Sequence, residues 1–140
     1  MRVTDAEDKL RGIIKFTLMY RIGEKEAKET VIRNMEKNNV SNRIIKEAMQ
    51  LPIKKLFDPS LNQGLYFNVL KDIILENYDL FNVMPGFEDE ITLKENLETI
   101  NISRRVPSHS YTEDSENWNK EKFHKFRKSM TWLEEVLEKM

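Results

Sequence analysis

"EKFHKFRKSMTWLEEVLEKM", residues 121–140, decides the fold class. Phe123, Phe126, Met130, Leu133, Leu137 and Met140 recur at steps of three, four, three, four and three. At that interval side chains share one face of an α-helix. Trp132 and Val136 widen the seam. It can pack along another helix of the same domain or across a two-fold axis. A helix over about 118–139 is expected.

The same period returns upstream. Leu65, Tyr66, Val69, Leu70, Ile73, Ile74, Tyr78 and Phe81 make an apolar face broad enough for a central helix, expected over about 62–82. Thr4 and Glu7 have the spacing of a capping box ahead of Leu10, Ile13, Ile14, Leu18 and Ile22, and Gly23 ends that first helix. A second, about 24–38, carries Ala27, Val31 and Met35 and breaks at "NNVS". Ser41 caps a third through Ile44, Ile45, Ala48 and Met49, and Pro52 and "DPS" stop the chain near Asp58. "NVMPGFEDE" reads as a loop, and Glu90 to about Ser103 as a helix through Leu93, Leu97 and Ile100. With 140 residues, 34% of them charged, and only four glycines and four prolines, the expected architecture is one all-α domain spanning 1–140, a compact five- or six-helix bundle.

Composition narrows the chemistry. A formal net charge of -1 argues against a protein that coats nucleic acid through bulk electrostatics and leaves room for a local basic site. The absence of cysteine removes disulfides, thiolate nucleophiles and cysteine zinc sites. "MRVTDAEDKLRG" at the N-terminus is charged where a signal peptide needs an apolar core, and no apolar run approaches the roughly 20 residues that span a bilayer. A cytoplasmic protein with no membrane partner is expected. His109 and His124 lie outside any H-E-x-x-H pattern, and no acidic run has calcium-loop spacing, so no metal and no cofactor are expected. "NQGLYF" lacks the lysine and second glycine of a phosphate loop, and no G-x-S-x-G elbow occurs. Residues 24–57 resemble two helices around a turn, with Arg43, Lys46, Lys54 and Lys55 on or near the second. That turn lacks a glycine and the first helix is rich in glutamate, which disfavours DNA recognition.

One polar stretch stands apart: "ISRRVPSHSYTED", residues 102–114. Arg104 and His109 form an R-x4-H pattern, with Arg105 beside the first and Ser108 and Ser110 flanking the second. An imidazole can take the proton of a ribose 2′-hydroxyl or protonate a leaving 5′-oxygen. A guanidinium presents a planar fork to a phosphate whose charge grows in the transition state. These are the minimal parts of metal-independent RNA cleavage.

The setting is an apolar helix ending "ILENYDLF", a loop, a helix ending "ETINISRRVPSH", a polar turn and a long amphipathic helix. This order resembles the HEPN superfamily, over roughly residues 61–140 closely and over the first 60 loosely. The resemblance implies a four- or five-helix bundle that pairs about a two-fold axis, so that two R-x4-6-H motifs share one ribonuclease cleft. It implies RNA as substrate, a homodimer, and a toxin or phage-defence role in which an antitoxin or larger defence system is the partner. Arg104 would hold the scissile phosphate and His109 would be base or acid. Arg105, Ser108, Ser110, Tyr111, Lys125 and Lys128 would contact substrate. Tyr111 and Trp118 either stack bases or cap the core. His124, beside Lys125, Arg127 and Lys128, reads as an exposed residue in a cluster that either guides RNA or forms a solvated face. Arg105 and Pro107 depart from the family pattern: Arg105 adds a cation beside the phosphate and repels a protonated His109, and Pro107 biases Val106 away from helix. The alternative is a non-catalytic HEPN-like module for dimerisation or for binding RNA, a nucleotide or a protein.

Overall fold

The computed structural model describes residues 2–61, 64–103 and 113–140, and all their side chains except those of 113–119. Regular structure among the described residues is entirely α-helical: α1 Val3–Arg21, α2 Gly23–Lys37, α3 Asn42–Gln50, α4 Ile53–Leu56, α5 Phe67–Glu76, α6 Tyr78–Phe81, α7 Glu90–Ser103 and α8 Glu113–Glu138. The all-α expectation is met. The eight segments exceed the expected five or six because α4 and α6 are single turns of four residues, too short for a 3.6-residue period to register. No described helix is long and apolar enough to cross a membrane. The chain divides into two compact units, Glu7–Phe81 and Met1–Ala6 with Asn82–Met140.

In the unit Glu7–Phe81, α2 packs against α3, α4 and α5. Leu10, Ile14 and Leu18 of α1 are fully buried, as are Val31 and Met35 of α2 and Leu70, Ile73 and Ile74 of α5. Gly23, at φ +84, ends α1 in a left-handed conformation that glycine adopts without steric cost. α2 closes with a Schellman arrangement: Val40 N donates to Met35 O at 3.1 Å and Asn39 N to Glu36 O at 3.0 Å, with Asn39 at φ 58. Ser41 caps α3 by accepting a hydrogen bond from Ile44 N at 3.4 Å, as its position suggested.

Two expectations need correction. The capping box of α1 is not built from Thr4 and Glu7. Arg2 N donates to the Asp5 carboxylate at 3.3 Å, Ala6 N bonds Arg2 O at 3.1 Å, and Glu7 instead accepts from Arg11 at 3.2 Å. The helix expected over 62–82 is also shorter, because tertiary contacts claim its start and a local side-chain hydrogen bond its end. Arg11, largely buried, donates to the Leu65 carbonyl from Nε at 3.2 Å and from its terminal nitrogen at 2.8 Å. Gly64 lies so close to Met35, Val40 and Ile44 that a Cβ there would approach Met35 Cε to 2.5 Å. Both keep the chain out of helix up to Tyr66, the extended residue that precedes α5. At the other end the Asn77 side chain donates back to Ile73 O at 2.8 Å, a local competitor that terminates the helix.

A polar clamp fastens α2 to α5 in the same unit. Asn38 donates to Asn34 O and to Asp72, each at 2.8 Å, and accepts from Asn68 at 3.1 Å. Lys71 donates to Asp72 at 2.8 Å, and Lys37 pairs with Glu76. Burial acts to push the Asp72 carboxyl up, but hydrogen bonds from Lys71 and Asn38 and the charges of Lys71 and Lys37 outweigh it and leave it below the ordinary carboxylate range.

In the other unit α7 packs against α8. Asp89 starts α7 by accepting from Ile91 N at 3.0 Å and Thr92 N at 3.2 Å, a side-chain cap. Leu93, Leu97 and Ile100 are fully buried. On α8 the seam divides. Met130, Leu133, Val136 and Leu137 are buried, whereas Phe123 and Met140 are 45% and 43% exposed, so the seam is covered between Met130 and Leu137 and exposed at both ends.

Candidate functional site

The site begins with a turn. Met84–Pro85–Gly86–Phe87 closes through Phe87 N to Met84 O at 3.0 Å, with Gly86 at φ +93. Proline at the second position and glycine at the third are the residues a type II turn demands. Gly86 N also donates to the Glu88 carboxylate at 2.9 Å. The turn delivers Phe87 into full burial, where its ring stacks on Trp132 of α8 with centroids 6.4 Å apart and planes 20° from parallel. Trp132 is therefore held from one side and remains half-buried.

Along α8, on the side away from the seam, His124, Arg127, Lys128, Thr131, Trp132 and Glu135 line an open groove of about 540 Å³. Their spacing of three, one, three, one and three keeps them on one face. Apart from Trp132 all six are exposed. Among the described residues, Arg127 and Lys128 have no carboxylate partner. The groove thus has a cationic end at Arg127 and Lys128 beside the His124 imidazole, an aromatic wall at Trp132, and, among its described lining residues, an acceptor-only carboxylate at Glu135. Chemically it can attract an anion at one end and receive a planar group against the indole.

Of the residues singled out from sequence, Arg104, Arg105, Ser108, His109, Ser110 and Tyr111 lie outside the described residues, as does the side chain of Trp118. They belong to the stretch joining α7 to α8. Lys128 lines the groove, whereas Lys125 is exposed on α8 without lining it. Arg127 was expected only as a member of the basic cluster that either guides RNA or forms a solvated face, and Thr131, Trp132 and Glu135 were not expected as a site. Trp132 reads from its spacing as a widening of the apolar seam, whereas in the structure it stacks on Phe87 and lines the groove. The available signal was the cationic and polar repeat 124, 127, 128, 131, 135, which runs beside the apolar one. Among the described residues no group of three or more His, Asp or Glu side chains converges as metal ligands. Comparison of the chain with models of protein families, with curated proteins and with solved structures gives no match.

Proposed function

We propose that the chain is a metal-independent endoribonuclease of HEPN type, acting as a homodimer in a toxin or phage-defence role. Arg104 holds the scissile phosphate. His109 takes the proton of the ribose 2′-hydroxyl, O2′ attacks phosphorus, and His109 of the partner subunit protonates the departing 5′-oxygen. The products are a 2′,3′-cyclic phosphate and a 5′-hydroxyl. What supports the reading is the R-x4-H pattern between α7 and α8 in a chain whose described regular structure is all helical, followed within 20 residues by Arg127 and Lys128 of α8, which have no carboxylate partner among the described residues. The cations would hold the negative backbone near the motif.

Arg105 and Pro107 favour a second reading, a HEPN-like module that binds without cutting. Incubation of purified chain with single-stranded and transfer RNA separates the two. The nuclease reading expects cleavage by the dimer and its loss in both His109→Ala and Arg104→Ala. Parent-like cutting by His109→Ala, or an intact substrate under a stable dimer, leaves the binding module in its place.

A further inference from the structure

The groove on α8 is asymmetric, and its asymmetry matches one nucleotide. From Lys128 to Glu135 the helix advances seven residues, about 10 Å, the scale on which a nucleotide separates its phosphate from the far edge of its base. At the near end His124, Arg127 and Lys128 offer donors suited to phosphate oxygens. Midway, Trp132 presents a ring already backed by Phe87, so stacking a base there freezes little additional motion. The far end is unlike any plain phosphate site, because Glu135 places a carboxylate where a second phosphate would be repelled.

We propose that this groove binds single-stranded RNA at a guanosine, with its phosphate against Arg127 and Lys128, its base on Trp132 and its Watson–Crick edge on Glu135. Guanine is selected because its N1–H and N2–H donors lie side by side and match the two oxygens of a carboxylate. Uracil presents one donor on that edge, and adenine and cytosine present a single amino group beside a ring acceptor that a carboxylate repels. A duplex is excluded because its bases are already stacked and paired, whereas single strands offer free faces to an aromatic ring. An acidic peptide would satisfy the cations but bring like charge to Glu135. The choice of RNA as the polyanion rests on the ribonuclease reading; the groove's phosphate-and-base chemistry does not.

The test uses the full chain carrying His109→Ala, so that RNA survives, and Trp118→Phe, so that Trp132 is the only tryptophan. It is titrated with end-labelled hexauridine and with the same oligomer carrying one central guanosine, adenosine or cytidine. The guanosine oligomer is expected to quench Trp132 and to bind about tenfold more tightly than the other three, and Trp132→Ala to weaken it about tenfold or more. Glu135→Gln removes the guanosine preference, so that the guanosine oligomer binds no more tightly than the adenosine and cytidine ones. Arg127→Ala with Lys128→Ala weakens all four oligomers alike and flattens the salt dependence by about 1.4 in slope, the loss of two phosphate contacts on a single strand. Both are surface changes, and an unaltered circular dichroism spectrum confirms the fold. Binding without a change at Trp132, equal affinity for all four bases, or equal affinity for a blunt RNA duplex overturns the proposal. Cleavage by the parent chain is scored separately. Cutting that is indifferent to the groove variants sinks the groove alone, and guanosine binding without any cutting sinks the nuclease alone.

Discussion

Replacing Gly86 by alanine puts the turn beneath Trp132 to a quantitative test. A Cβ at Gly86 would stand 2.4 Å and 2.8 Å from the two methyls of Val136 and 3.1 Å from its Cβ. These are contacts with a branched side chain on a buried stretch of α8, which has no free rotamer to retreat into. Overpacking of this kind costs about 1–3 kcal/mol. The backbone adds to it, since φ +93 costs a residue with a Cβ a further ~1 kcal/mol. The sum, about 2–4 kcal/mol, corresponds to a fall in Tm on the order of 10 °C for a chain of this size. Gly23→Ala is the matched control: its φ is +84 and nothing lies within 4 Å of the added methyl, so only the backbone term of ~1 kcal/mol should register. Thermal and urea unfolding followed by circular dichroism measure both, and in a Trp118→Phe background the fluorescence of Trp132 reports whether Phe87 has been displaced. Equal losses at Gly86 and Gly23, or a Gly86→Ala chain within about 0.5 kcal/mol of the parent, would refute the steric reasoning.

Two further outcomes follow from the unit Glu7–Phe81. Asp72 is held below its ordinary range in the folded state, so its contribution is present above the unfolded value near 4 and is lost as pH falls through the folded value. Between about pH 5 and about pH 3 the parent should therefore lose more stability than Asp72→Asn, and parallel acid-unfolding curves would contradict this. Arg11→Ala should cost roughly 3 kcal/mol in urea unfolding, because it removes the donors to Leu65 O and the cation beside buried Glu7. A loss below about 1 kcal/mol, the size of a surface pair, would show that the buried guanidinium is not needed.

What could be read from sequence was what local chemistry determines. α2, α3 and α7 fall within a residue or so of expectation because Gly23, Ser41 and the start at Glu90 act on their own neighbours. α5 was overextended because Arg11, 54 residues away, takes the Leu65 carbonyl, a partner that no periodicity reveals. The seam of α8 was legible as an apolar face, but not which part is covered: Leu133 is fully buried, and Phe123 and Met140 are exposed on the same stripe. For the site, sequence supplied Lys128 and its basic neighbours. It missed Trp132 and Glu135, since the ring that stacks on Trp132, Phe87, follows a type II turn more than 40 residues earlier and no periodicity links the two.

The central claim is the chemistry assigned to Arg104 and His109, and the end groups of the RNA products test it most directly. With EDTA present, the parent chain should still cut, and each cut should leave a 2′,3′-cyclic phosphate on the upstream fragment and a 5′-hydroxyl on the downstream one, the signature of 2′-oxygen attack promoted by an imidazole. Fragments ending in 3′-hydroxyl and 5′-phosphate that form only when a divalent ion is supplied would mean that water or hydroxide on a metal is the nucleophile, and would contradict it.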